Sequence, residues 1–157
     1  MRIPDQVLEM LKRAQERQFV TFTTLGKDNW PHARPMDLFA IEEDGEGILF
    51  ASVNPGATLE NLRRNRRAEV LVAEREPREG YTLEGWVEYI ADARAPEVQV
   101  VRAMDPARPV VGVFRFRVQR VRVATPFQEN TGEFVPGSEP RRQPLFRATD
   151  FDVPSEC

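Results

Sequence analysis

Arg34 stands beside a strand-breaking Pro35 inside the stretch His32–Ile41, whose other residues suit an extended chain. A guanidinium at such a place meets either solvent or an anion, and here ligand contact is the favoured reading. Further on come Ser52, at the end of an apolar stretch, then Thr58 and Asn61 at the opening of a short helix that also carries Arg63 and Arg64. Short hydroxyls and backbone N–H groups at a helix start make a cradle for an anion. Thr58 also suits a helix cap, and the two roles coexist. For Arg63, Arg64, Arg66 and Arg67 a solvated basic face is the simpler reading.

Other chemistries lack their residues. There is one histidine, His32, so a pair of histidine ligands is impossible. No glycine-rich phosphate loop of the P-loop or dinucleotide type is present. A Ser-His-Asp triad would need His32 with Ser52 or Ser138, and neither serine sits in a nucleophile elbow. Glu42, Glu43 and Asp44 crowd one turn and read as a solvated hairpin tip. Cys157 is the sole cysteine, which excludes an intrachain disulfide and a cysteine-based metal site. With 22 basic and 25 acidic residues the net charge is −3, which argues against a general nucleic-acid binder. The first 17 residues hold no apolar signal core, and no apolar run approaches the ~20 residues of a membrane span. The expectation is a soluble, cytoplasmic protein without nucleic-acid or membrane partners.

The elements that must position these groups follow from periodicity. Val7, Leu8, Leu11 and Ala14 recur three or four apart and predict a helix over 5–17. β-branched and aromatic runs predict strands at 19–25, 32–41, 48–53, 68–73 and 81–90. Pro35 confines the second of these to an edge or a bulge. Two short helices are expected at about 58–65 and 96–104, the latter with Pro96 in its first turn. Residues 110–124 alternate, with Val113, Arg115, Arg117, Gln119 and Val121 on one face and Phe114, Phe116, Val118 and Arg120 on the other. Six strands arranged as hairpins close most naturally as a small antiparallel barrel. After Thr125 the periodicity fades among Gly132, Pro136, Gly137, Pro140, Pro144 and Pro154, yet Phe127, Phe134, Leu145, Phe146 and Phe151 recur. The expected organisation is a barrel domain over 1–124 and an extension over 125–157 that packs on the barrel or on a partner subunit.

The segment FVTFTTLGKDNWPHARPMDLFAI, followed by ILFASVNPGATLENLRRNRRAEVLVAE and YTLEGWVEYIAD, resembles the pyridoxamine 5'-phosphate oxidase-like split barrels. The likeness covers about residues 5–124. It implies a mainly β, six-stranded antiparallel split barrel of the FMN-binding type with an N-terminal helix. It also implies a homodimer with the cofactor at the subunit interface and a small-molecule substrate. By position, Arg34 would meet the phosphate or the ring edge, and Pro35 and Met36 would offer backbone to the isoalloxazine. Ser52, Thr58 and Asn61 would line the phosphate and ribityl pocket, and Trp86 would either reach in from the partner or serve as a dimer or barrel core residue. The family's lysine before the short helix has no counterpart in Gly56-Ala57-Thr58, and Arg63 or Arg64 would stand in for it. The family oxidase's C-terminal Arg-x-His element is also missing, so vitamin B6 oxidation is not expected. The size and His32 are similar to the nitroimidazole-resistance sub-group. The expectation is an FMN-dependent oxidoreductase. The alternatives are F420 or haem on the same barrel, with His32 as the haem ligand, or a non-catalytic flavin-binding or regulatory dimer.

Overall fold

Strand propensity and a two-residue period account for most of the regular structure. A computed structural model describes residues 1–125, 128 and 130–137. Its elements are α1 (Asp5–Arg17), β1 (Val20–Leu25), β2 (Pro31–Met36), β3 (Phe39–Ile41), β4 (Gly47–Ser52), α2 (Gly56–Arg64), β5 (Arg67–Glu74), β6 (Glu79–Ile90), α3 (Pro96–Met104) and β7 (Gly112–Val123). All neighbouring strands pair antiparallel, in one sheet of order β2-β1-β5-β6-β7-β4-β3.

The order explains how the sheet closes. β2 and β3 lie at opposite edges, yet only Asp37 and Leu38 separate them in the chain. Three Cα steps of 3.8 Å span at most about 11 Å, so the two edges must meet and the sheet curls into a barrel. The expected single strand over 32–41 is therefore two short strands, because it crosses from one sheet edge to the other at the seam. Pro35 sits on edge strand β2 opposite Thr21, where its missing N–H costs no ladder bond. The mainly β split barrel is otherwise as the sequence predicts.

Phe22, Phe39, Phe50, Phe114 and Phe116 fill the barrel, with Phe22 and Phe50 ring centroids 5.1 Å apart. One phase in β7 departs from expectation. Val118 pairs with Gly85 and Arg120 pairs with Glu84, so Gln119 is an extra, bulged residue. The bulge shifts the alternation by one. Val121 and Val123 therefore join Phe114, Phe116 and Val118 in the core instead of facing out with Arg115. Gly85 is required there, because a Cβ would collide with the Arg117 carbonyl.

α1 adds Val7, Met10, Leu11 and Ala14 to the same core and covers one end of the barrel. Gln15 donates to the Phe39 carbonyl at 2.7 Å and fixes its seat. α3 packs Val98 and Val101 outside the sheet, against Ala40, Leu49 and Val113. After β7 the chain turns back: Arg122 bridges to Phe134, and Val135 is buried in the barrel core. The remaining residues of the predicted extension, Cys157 included, lie outside the described residues. Among the described residues, no helix is long and apolar enough to cross a membrane.

Candidate functional site

The end of the barrel opposite α1 has a different chemistry. α2 covers it, and Thr24, Ser52, Thr58 and Asn61 gather there, each 2–3% exposed. They are the only buried polar side chains among the described residues. Burial of such groups is costly unless they are bonded, so their partners define the site.

Arg34 is brought to it by strand register. Arg34 is the direct partner of Phe22, and antiparallel partners share a face. Phe22 points into the barrel, so Arg34 points over its mouth. Its Nη1 donates to Thr58 Oγ1 at 3.0 Å and to the Asn54 carbonyl at 3.1 Å. By the same register His32, opposite Thr24, faces the mouth, with Nε2 3.8 Å from Asp28. Asn61 Nδ2 donates to Thr24 Oγ1 at 3.1 Å, and Asn61 Oδ1 accepts from Arg64 Nη2 at 2.8 Å. Tyr89 Oη makes a long 3.5 Å contact with Ser52 Oγ. That approach depends on Gly112, where a Cβ would lie 2.6 Å from the Tyr89 hydroxyl. α2 has no side-chain cap, and its first N–H groups are free donors at the same rim.

The structure thus brings together Arg34, Ser52, Thr58 and Asn61. Met36 places its side chain in the core, which leaves only its backbone to a ligand. Pro35 is exposed on the outer face of β2. Arg63 and Arg64 are both exposed, and of the two only Arg63 makes no bond or ion pair among the described residues. Trp86 is 41% exposed, outside the sheet, with the Arg67 guanidinium 5.2 Å from its ring. Trp86 is therefore not a barrel core residue, and in its own subunit it does not face the mouth. Thr24, Asn54 and Tyr89 were not singled out by sequence reasoning. Thr24 had a signal, since it follows Val20 and Phe22 in the inward phase.

The site is also electropositive. Arg34, Arg63, Arg64, Arg66 and Arg67 have no carboxylate partner among the described residues. Those that are bonded use neutral groups: a hydroxyl and a carbonyl for Arg34, a carboxamide for Arg64, the Val87 carbonyl for Arg66. A separate open depression of about 490 Å³ lies beside α3, but its guanidiniums are already occupied. Arg102 donates to the Val110 carbonyl, and Arg108 pairs with Asp37 and Asp105.

The fold is shared with solved proteins. HupZ of Group A Streptococcus is 17% identical, with a TM-score of 0.68 over 82% of this chain and 97% of that one. A pyridoxamine 5'-phosphate oxidase-related, FMN-binding protein of Nostoc punctiforme is 15% identical, with a TM-score of 0.61 over 80% and 84%. An F420 reductase is 18% identical, with a TM-score of 0.59 over 76% and 98%. At these identities the likeness concerns the fold. No curated protein matches the chain in sequence. The family profile described as pyridoxamine 5'-phosphate oxidase matches residues 3–124, which takes in the whole barrel from Ile3 to the end of β7. The chain belongs to the pyridoxamine 5'-phosphate oxidase-like, FMN-binding family of split barrels.

Proposed function

We propose that this protein binds FMN at the α2 end of the barrel and acts there as an oxidoreductase on a small molecule, as a cytoplasmic homodimer. The gathering of every described buried polar side chain at that one end, beside arginines that no carboxylate among the described residues neutralises, carries this reading. The donor set fits a phosphate: the Arg34 guanidinium, the Thr58 hydroxyl and the free N–H groups of the α2 start share one rim. Ser52 and Asn61 would line the ribityl chain, and the backbone of Pro35 and Met36 would border the ring. Trp86 lies on the outer face, so it would serve the partner's site and not its own. Leu25, Leu71 and Trp86 form an exposed apolar set on that face, which suits a second copy. Bound FMN would supply the redox chemistry, and the protein binding, orientation and field. His32, facing the same mouth, is the residue on which a nitroimidazole-resistance-like role would rest.

A second reading is F420 in the same cradle. The fold similarity to an F420 reductase and the absence of lysine from Gly56-Ala57-Thr58 favour it. Visible spectra of the purified protein, alone and with FMN, F420 or haemin, separate the readings. A flavin spectrum weakened by Arg34→Ala supports the first. Uptake of F420 alone supports the second. Haem uptake lost in His32→Ala would displace both, and uptake of none would remove the oxidoreductase reading.

A further inference from the structure

We infer that Arg64 is the second cation of this cradle, and that together with Arg34 it fits the site to a terminal phosphate monoester, a dianion, over a neutral flavin. The inference rests on the FMN reading and assigns the residue that replaces the absent lysine charge.

Arg63 and Arg64 are neighbours with the same charge, but their surroundings differ. Both side chains are exposed, but Arg63 is unbonded among the described residues. Arg64 is held by Asn61 Oδ1 at 2.8 Å. Asn61 is 3% exposed, and its amide nitrogen is committed to Thr24 Oγ1. With the NH2 end engaged inside, the carboxamide must present its oxygen outward, and only a donor can take it. Thr24 and Asn61 therefore aim Arg64 from within the barrel.

Thr58 and Asn61 are three residues apart, so they lie on one helix face with a rise of about 4.5 Å. Arg34 bonds the first and Arg64 the second. The two guanidiniums are thus anchored at neighbouring positions on one helix face. Each keeps N–H donors beyond those used here, since a guanidinium has five. Neither has a carboxylate to cancel its charge among the described residues. Two positive charges match a dianion, whereas an uncharged end group leaves them unneutralised.

The test is a fluorescence titration of the full-length protein with FMN and with riboflavin, which lacks the phosphate. Arg64→Ala is expected to weaken FMN by about 10- to 30-fold, the usual cost of a lost charge-assisted hydrogen bond. Arg63→Ala is expected to stay within about 2-fold, the range of a rim charge. Riboflavin binding should be unmoved by either. Asn61→Asp, which places a carboxylate against Arg64, should weaken FMN as Arg64→Ala does, in a protein whose melting shows it folded. Equal losses in Arg63→Ala and Arg64→Ala, or a parallel loss of riboflavin, would overturn the assignment while leaving FMN binding intact. If the wild type binds no FMN, that reading falls, and 31P line broadening of inorganic phosphate tests Arg64 separately. Broadening lost in Arg64→Ala but kept in Arg63→Ala sustains the cradle; broadening indifferent to both, or absent from the wild type, ends it.

Discussion

On β7, Arg115, Arg117, Arg120 and Arg122 each lie within ion-pair distance of a carboxylate. Around α2, Arg34, Arg63, Arg64, Arg66 and Arg67 have none among the described residues. The first group is a closed system. Glu42, 13% exposed, accepts from both Arg115 and Arg117, and Arg117 also reaches Asp44 and Glu46. Its hydrogen bond to Glu42 pushes Arg115 above its ordinary value; Asp44 and Glu42 do the same for Arg117 against the opposing effect of burial. These charges cancel and fasten the β3–β4 hairpin to β7. Those of the second group find no carboxylate to cancel them among the described residues. They touch hydroxyls, carbonyls, a carboxamide and an indole, which orient a guanidinium without neutralising it. Arginines of one side hold the barrel; for those of the other we propose an anion as the partner.

The comparison breaks most directly at Arg34. Arg34→Ala should lower FMN affinity by about 10- to 100-fold, the range for a hydrogen bond to a charged group, with little change in melting temperature. An equal loss of stability would mean that Arg34 is structural, like the β7 group. The converse change is Glu42→Gln. It should cost about 1–2 kcal/mol in denaturant unfolding by leaving Arg115 poorly paired, with FMN affinity unchanged.

pH separates the two sides further. Asp37 is held below its ordinary value by the Arg108 hydrogen bond, Glu74 by that of Arg13, and Asp44 by the Glu46 N–H and then Arg117. A carboxylate depressed in the folded state stabilises above its unfolded pKa, and that stability is lost as pH falls through the folded value. Unfolding should therefore ease only below about pH 4. A phosphate monoester loses its second charge near pH 6, so FMN affinity should fall there while the fold persists. Coincident transitions in melting and titration would contradict the division. The smallest effect is expected at Glu69. Although Glu69 is exposed on the outer face of β5, desolvation by the surrounding side chains and the charge of Glu84, its direct cross-strand partner, raise its carboxyl. A raised carboxyl opposes folding above its unfolded pKa, so Glu69→Gln should raise the melting temperature slightly at pH 7. A decrease would show that attraction to Arg122 outweighs Glu84.

Local rules made much of this molecule legible. α1 and α3 run over the residues that the apolar spacing and Pro96 indicate. β-branched and aromatic runs marked the earlier strand regions, and the last strand was marked by alternation, because one buried face imposes a period of two. It failed at Gln119, where the bulge depends on Gly85 across the ladder, a partner the strand's own sequence does not contain. Residue type likewise ran 32–41 together, because the seam at Asp37-Leu38 is set by sheet closure and not by local propensity.

The site divides the same way. Residue types alone pointed to Arg34, Ser52, Thr58 and Asn61 for the proposed anion cradle, since guanidinium, hydroxyls and a helix start have that affinity wherever they meet. Tertiary structure alone decided which arginines are left for it. Neutralisation depends on contacts between residues far apart in the chain: Arg115 meets Glu42 across 73 positions, Arg34 meets Thr58 across 24, and Arg64 is aimed by Asn61 bonded to Thr24 across 37. A guanidinium's charge is written in the sequence, but whether a carboxylate cancels it is settled only when the barrel closes.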